Sequence, residues 1–219
     1  TESSPFATIQ AGINKSLSSD TVFVGPGTYN EQIDYKGKQI VVMSTSGADS
    51  TVIYSTNNNV SFNTQEGSSA VLDGFTLTGS SSNGITVGNY SKPTLRNLVI
   101  YNKKKGIYLH YDSDVTITNV TITDNEYGIY FNTSQSAVTL TNSIIWNHTS
   151  APIYIGDNGS GKSTVLDALT FALFNKPFRN VSKPQLINTI NGKNLRVDIN
   201  FQIGSKNYCI KRGLQPRIF

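Results

Sequence analysis

The stretch TITNVTI, residues 116–122, decides the fold because it is one of four copies of the same pattern. The other copies are VLDGFTL at 71–77, TLRNLVI at 94–100 and TLTNSII at 139–145. A second series follows in step with the first: GITV at 84–87, GIYL at 106–109, GIYF at 128–131 and PIYI at 152–155. Both series repeat every 22 to 24 residues. Apolar and polar residues alternate within each copy, so the pattern predicts short strands rather than helices.

A repeat of this length predicts a coil that stacks on its neighbours, because one coil cannot bury its own apolar side. The residues expected to stack inside are Ile85, Ile107, Ile129 and Ile153, with Val87, Leu109, Phe131 and Ile155. One bend between strands always holds Gly or Asn, at Gly74, Asn97, Asn119 and Asn142. Both residue types tolerate a left-handed backbone, and an Asn side chain can hydrogen-bond the next coil. The sequence therefore predicts a mainly β fold, a parallel β-helix.

The residues before the first coil predict a helix that caps its open end. Within SPFATIQAGINKSL, residues 4–17, one helical face holds Phe6, Ile9, Ile13 and Leu17. Ser4 is the expected N-cap and Pro5 the first helical residue. DTVFVGPGTYNEQI, residues 20–33, then predicts strand, turn and strand. Over about residues 5–155 this combination resembles the right-handed parallel β-helix proteins of the pectate-lyase-like superfamily.

Composition and charge predict where this part ends. The chain has 37% hydrophobic residues, which suits a β-rich fold with many polar turns better than a helical bundle. No apolar run reaches the roughly 18 residues that a membrane span needs. Residues 1–155 carry a net charge of −3 and residues 156–219 one of +7. We therefore expect two domains with these bounds, in a chain interpreted as a fragment because it lacks an initiator Met.

Two features of the β-helix part are candidates for function, and neither forms a recognisable catalytic set. Acidic pairs at Asp112/Asp114 and Asp124/Glu126 could bind calcium or act as acid and base, but solvated turns are the favoured interpretation. A solvated turn is also the favoured interpretation of the lysine run at 103–105. Three tyrosines that point outward in successive coils could stabilise the sheet as a ladder, or stack on the sugar rings of a polysaccharide: Tyr108, Tyr130 and Tyr154.

A phosphate-binding motif follows directly. GDNGSGKST, residues 156–164, fits the G-x-x-x-x-G-K-[ST] pattern, in which glycines let backbone N–H groups wrap a polyphosphate. Lys162 would reach the β- and γ-phosphates, and the Ser163 hydroxyl would bind Mg²⁺. The strand-like IYI precedes the motif. STVLDALTFALF, residues 163–174, predicts the helix that should follow it.

The remaining residues predict an antiparallel hairpin over 195–212, from LRVDINFQI and YCIKRG. Loop, helix and hairpin in this order resemble the N-terminal lobe of the SMC-like DNA-repair ATPases of the SbcC type, most of all the ATPase subunit of the phage recombination endonuclease. The resemblance implies ATP and Mg²⁺ as cofactors, held by Gly156, Asn158, Gly159, Gly161, Lys162, Ser163 and Thr164. In that family, two further parts of the ATPase site lie in the sequence after the position of Phe219: the Asp-Glu pair that positions metal and water, and the signature motif. We therefore do not expect this chain to hydrolyse ATP.

The main hypothesis is a chimera, in which a β-helix surface or carbohydrate-interacting module is joined to part of a repair ATPase. The alternatives are an extracellular polysaccharide-binding or lyase-like β-helix with an incidental tail, and a nucleotide-binding protein that uses the β-helix as a scaffold. DNA and a nuclease subunit are partners that the resemblance implies only for the intact ATPase. The β-helix suggests an extracellular location and the ATPase part a cytoplasmic one, so location stays open.

Overall fold

The computed structural model describes residues 5–80, 82–133, 135–156, 195–203 and 206–214. The chain divides into two compact units, Thr1–Asp157 and Asn158–Phe219. In the first unit, a short helix is followed by eighteen strands, β1 to β18, in three parallel sheets. Each sheet has six strands, and consecutive strands along the chain lie in different sheets. The unit is therefore a β-helix of six coils, which confirms the predicted fold class.

The three sheets take every third strand. Sheet A contains β1 (Thr21–Val24), β4 (Val41–Ser44), β7 (Val71–Asp73), β10 (Thr94–Arg96), β13 (Asp114–Thr118) and β16 (Ala137–Thr141). Sheet B contains β2 (Gly27–Asn30), β5 (Thr51–Ser55), β8 (Thr76–Gly79), β11 (Val99–Ile100), β14 (Thr121–Thr123) and β17 (Ile144–Trp146). Sheet C contains β3 (Ile33–Asp34), β6 (Val60–Phe62), β9 (Asn83–Val87), β12 (Lys105–Leu109), β15 (Tyr127–Phe131) and β18 (Ala151–Ile155).

The register confirms the repeat over the last four coils. Leu72, Leu95, Ile117 and Leu140 are direct partners along sheet A. Ile85, Ile107, Ile129 and Ile153 are partners along sheet C, and the first three are completely buried. The first three members of each column line one continuous core, whereas in the last coil Leu140 is exposed and Ile153 and Ile155 are half-buried. The structure adds two earlier coils that the repeat did not reveal.

The capping helix forms, but it begins later than expected. The helix α1 spans Ile9–Lys15, and Thr8 is its N-cap, accepting a hydrogen bond from the Ala11 amide. The carboxylate of Glu31 accepts from the amides of Ile9 and Gln10 at 2.8 and 2.9 Å. These two partners satisfy the first turn, so the predicted start at Ser4 and Pro5 is wrong. Ile9 and Ile13 are buried as predicted. The other two members of the expected face are exposed, Phe6 at 46% and Leu17 at 74%.

The predicted Gly and Asn bends lie on one corner of the β-helix. Gly74, Asn97, Asn119 and Asn142 have φ angles of 83, 54, 56 and 47°. The Asn119 side chain donates to Asn97 Oδ1 at 3.2 Å, and Asn142 donates to Asn119 Oδ1 at 2.6 Å. The ladder therefore links successive coils through their side chains, as the sequence predicts.

A column of glycines inside the coils allows the sheets to approach each other. Gly84, Gly106 and Gly128 follow one another in sheet C. A β-carbon at Gly106 would lie 2.6 Å from Ile122 Cγ2 and 2.7 Å from the Gly128 carbonyl oxygen. A β-carbon at any of the three glycines would crowd the carbonyl oxygen of the next residue in the column, which is Gly106, Gly128 or Pro152. The column continues as Pro152 in β18, the last strand of sheet C.

One buried carboxylate stabilises the early coils. Glu66 is fully buried and accepts hydrogen bonds from the amides of Gly37 and Thr64 and from the Ser91 hydroxyl, at 2.8, 2.9 and 2.8 Å. These donors lie in three different coils, so Glu66 fastens them together.

The described part of the second unit is an antiparallel hairpin. Its strands are β19 (Leu195–Ile203) and β20 (Lys206–Leu214), paired from Leu195–Leu214 to Ile203–Lys206. This confirms the predicted hairpin and extends it by two residues beyond 212. The predicted helix at 163–174 lies outside the described residues.

Candidate functional site

The outer face of sheet C carries a tyrosine ladder, which we define as Tyr108, Tyr130 and Tyr154. The three residues are direct partners in β12, β15 and β18. Ring centroids are 5.8 Å apart for Tyr108 and Tyr130, and 4.4 Å apart for Tyr130 and Tyr154. The structure thus brings together the three tyrosines that the repeat places in one column.

The last two rings of the ladder, Tyr130 and Tyr154, face each other. The Tyr130 and Tyr154 planes differ by 26°, and their 4.4 Å separation is close to the spacing of neighbouring strands, about 4.8 Å. Their faces therefore point along the ladder, while their edges point away from the sheet. Tyr154 ends the ladder and is 36% exposed. Among the described strands, none pairs with β18 on the side away from Tyr130.

Lys105 lies against this ladder. Its Nζ is 4.0 Å from the ring centroids of both Tyr108 and Tyr130, which is cation–π geometry. Burial and then the neighbouring Lys104 lower the pKa of Lys105, whereas Glu126 opposes this change. The prediction of a solvated lysine turn is therefore wrong for Lys105, because its ammonium rests on two aromatic rings.

His110 extends the aromatic surface. Its ring stacks on Tyr108 with centroids 5.1 Å apart and a plane difference of 15°, and its Nε2 is 3.2 Å from Asn63 Oδ1. Burial and then Lys105 lower the pKa of His110, so the ring is neutral at pH 7. Burial raises the pKa of Tyr108 and of Tyr130, which keeps both hydroxyls protonated. The surface thus presents neutral aromatic groups beside one cation.

Lys103 is the clearest departure from the solvated-turn prediction. It is 4% exposed, and its Nζ donates to the carbonyl oxygens of Ser55 and Asn57, both at 2.8 Å. These carbonyls belong to a coil two turns earlier in the β-helix. Burial lowers the pKa of Lys103 from its ordinary 10.5 to about 8. Lys103 therefore acts as an internal clamp between coils.

The acidic pairs do not come together as a metal site. Asp114 forms an ion pair with Lys92 at 2.9 Å, and the side chains of Lys92 and Asp114 are 59% and 38% exposed. Asp124 accepts hydrogen bonds from the side chains of Thr123 and Asn147. Among the described residues, no group of three His, Cys, Asp or Glu side chains could hold a metal ion. Asp124 lies in a bend, as the solvated-turn interpretation predicts, whereas Asp114 is the first residue of β13.

The phosphate motif begins where sheet C ends. β18 stops at Ile155, and the Gly156 amide donates to the Phe131 carbonyl oxygen at 2.6 Å, which continues the pairing with β15. Gly156 is thus placed directly after a parallel strand. The other predicted phosphate contacts, Asn158, Gly159, Gly161, Lys162, Ser163 and Thr164, lie outside the described residues.

Comparison with known proteins separates the two parts of the chain. Residues 28–168 match the family described as the right handed beta helix region, and residues 154–216 match the family described as an AAA domain. Over 64 residues the chain is 55% identical to Exonuclease subunit 2 of Enterobacteria phage T4, and equally to that of Escherichia phage RB69. Over 62 residues it is 34% identical to the DNA double-strand break repair Rad50 ATPase of Sulfolobus acidocaldarius.

These matches cover unequal shares of the proteins. The phage alignments span 29% of this chain but 11% of the relatives' length, and the Rad50 alignment spans 28% and 7%. No solved structure matches the chain significantly. In the ranges that the structure describes, no helix is long and apolar enough to cross a membrane. The chain therefore joins a β-helix region to a region similar to AAA and Rad50-like ATPases.

Proposed function

We propose that this chain, which belongs to the right-handed β-helix family, combines two binding functions. The β-helix binds carbohydrate at the end of the tyrosine ladder, and the segment from Gly156 to Thr164 binds ATP with Mg²⁺ without turning it over. The observation that carries the first function is the aromatic surface of sheet C, with Lys105 beside it. Each function has its own test, because each rests on different residues.

The carbohydrate function follows from the exposed end of the ladder. The ring of Tyr154 offers a flat apolar surface to the C–H groups of a sugar ring, while its phenol hydroxyl can donate to a sugar oxygen. The saccharide therefore lies against β18 rather than across the middle of the ladder, where neighbouring rings occupy each other's faces.

Replacing Tyr154 with Ala is expected to weaken saccharide binding at least tenfold, because it removes the open ring face. Affinity electrophoresis across a panel of soluble polysaccharides, followed by calorimetry with the best ligand, measures the effect. Tyr90→Ala is the matched control, since Tyr90 is 60% exposed and does not belong to the ladder. A panel without any retained polysaccharide, or equal loss in both variants, would contradict the carbohydrate function.

The nucleotide function is supported by the match of residues 154–216 to the AAA family and by the spacing of the motif inside that range. Gly156 begins the loop, the backbone amides of Asn158, Gly159 and Gly161 surround the phosphates, and Lys162 neutralises their charge. Ser163 holds Mg²⁺, with Thr164 beside it. DNA or a nuclease subunit is not proposed as a partner, because the chain spans 11% of the length of its phage relatives.

Lys162→Ala is expected to weaken Mg·ATP binding at least tenfold, because the β- and γ-phosphates lose their cation. Binding of a fluorescent ATP analogue to the 219-residue chain, with and without Mg²⁺, provides the measurement. Lys176→Ala removes the same charge outside the motif and serves as control. Equal affinity of Lys162→Ala and the unaltered chain would overturn the nucleotide function. Phosphate release that disappears in Lys162→Ala would overturn the absence of turnover.

A further inference from the structure

Four tyrosine rings form one contact cluster on sheet C. Tyr127 joins the ladder, with its centroid 5.2 Å from Tyr130 and 5.2 Å from Tyr154. Those two contacts are edge contacts, with plane differences of 87 and 61°. The Tyr130–Tyr154 pair differs from them because its rings are nearly parallel and only 4.4 Å apart.

The geometry of this pair follows from its in-register strands. Tyr130 and Tyr154 occupy the same position in successive coils, so corresponding ring atoms face each other. The ring centroids are 4.4 Å apart and the planes differ by 26°, so the ring carbons beside the two hydroxyls lie on facing rings. Both side chains reach the surface, and Tyr154 is 36% exposed. A small oxidant can therefore reach a pair that is already aligned.

We propose that Tyr130 and Tyr154 form an oxidation-dependent dityrosine cross-link between the last two coils. Each phenol loses one electron and one proton to a peroxide-driven one-electron oxidant, which gives two phenoxyl radicals. The radicals join through the ring carbons next to the hydroxyls, and the hydrogens on those carbons return to the oxygens. The pair loses two hydrogen atoms in total, and one hydrogen peroxide molecule becomes two water molecules.

The cross-link acts where the β-helix is least protected. Strands of the last coil are mostly exposed or half-buried, with Leu140 at 41%, Ile144 at 61% and Trp146 at 70% exposure. Only one side of this coil is paired with a described neighbour. A covalent bond from β15 to β18 would hold the coil in place and restrict the unfolded chain between the two tyrosines.

The experiment treats the dilute full-length chain with horseradish peroxidase and hydrogen peroxide. The expected product is a monomer that has lost two hydrogen atoms, fluoresces as dityrosine, and yields one linked peptide pair containing Tyr130 and Tyr154. Tyr130→Phe and Tyr154→Phe should each reduce the fluorescence at least tenfold, since phenylalanine has no phenol to oxidise. Circular dichroism checks that both variants keep the β-helix.

Two further variants make the assignment specific. Tyr127→Phe removes a phenol from the same cluster but should leave the yield unchanged, because its ring meets the pair only by its edge. Tyr90→Phe, at an exposed tyrosine outside the cluster, should also leave it unchanged. A link mapped to Tyr127 or Tyr90, a product found only between chains, or unchanged fluorescence in Tyr130→Phe would overturn the proposal.

Discussion

Gly106→Ala is expected to lower the free energy of unfolding of the β-helix by about 2–3 kcal/mol, the cost of overpacking a rigid core. The added carbon would meet the Ile122 methyl at 2.6 Å and the Gly128 carbonyl oxygen at 2.7 Å. The carbonyl is part of the paired backbone of β15, so it cannot move without disturbing the next coil. Relief must come from a shift of whole strands, which is why one methyl group has a large effect.

Urea unfolding followed by circular dichroism measures this change. Gly25→Ala is the matched control, because a β-carbon there meets nothing within 4 Å, and its stability should change by less than about 0.5 kcal/mol. Equal stability of the Gly106 variant and the unaltered protein would show that the sheets are further apart than described. An equal loss of stability in both variants would show that the effect comes from replacing glycine by alanine in general and not from crowding at Gly106.

Raising the pH from 7 to 10.5 is expected to stabilise the protein relative to its Lys103→Met variant by up to about 3 kcal/mol. Burial lowers the folded-state pKa of Lys103 to about 8, while the unfolded chain keeps the ordinary 10.5. Between these values the unfolded state holds more protons than the folded state. The free energy of unfolding therefore rises with pH in this window. Below about pH 8 the buried charge destabilises the protein by its full amount, and this effect declines as the pH rises towards 10.5.

The comparison with a variant isolates Lys103 from other titrating groups. Unfolding free energies of the protein, Lys103→Met and Lys104→Met are measured at several pH values across the window. Lys104→Met removes the same charge from the adjacent exposed residue, and its difference from the unaltered protein should stay nearly constant. A Lys103 difference that is flat with pH, or that falls as pH rises, would contradict the described burial.

The fold was predictable where the spacing of the coils is regular. From Leu72 onward each coil adds 22 or 23 residues to sheet A, so the columns align by inspection. The earlier partners Val22, Val42 and Leu72 are separated by 20 and then 30 residues, because the loop lengths differ. A search for a constant period cannot recognise those coils, although their inward residues are as apolar as the later ones.

The candidate site was predictable as a column but not as a set of contacts. Period-two alternation places Tyr108, Tyr130 and Tyr154 outside, whereas side-chain rotation decides which way their rings face. The two lysines were missed for a different reason. The carbonyl partners of Lys103 lie 48 and 46 residues earlier, so no local pattern points to them. Lys105 needs the rings of two separate coils, and it follows two other lysines in the sequence.

The junction at β18 explains why two family patterns overlap. The β-helix match continues to residue 168, and the AAA match begins at residue 154. Tyr154 and Ile155 satisfy both, since they pair with Tyr130 and Phe131 and also form the strand that precedes Gly156. The two family matches therefore overlap on the second half of β18, the last strand of sheet C.

Pro152 interrupts the column of glycines in the last coil of the β-helix. Gly84, Gly106 and Gly128 leave room for the carbonyl oxygen that the next coil brings, whereas Pro152 fills the same place with a ring and a β-carbon. A seventh coil in the same register, whether from this chain or from a second molecule, would collide with that ring. Because an unpaired strand edge is a template for further pairing, a proline at this position disfavours the addition of another strand in the same register.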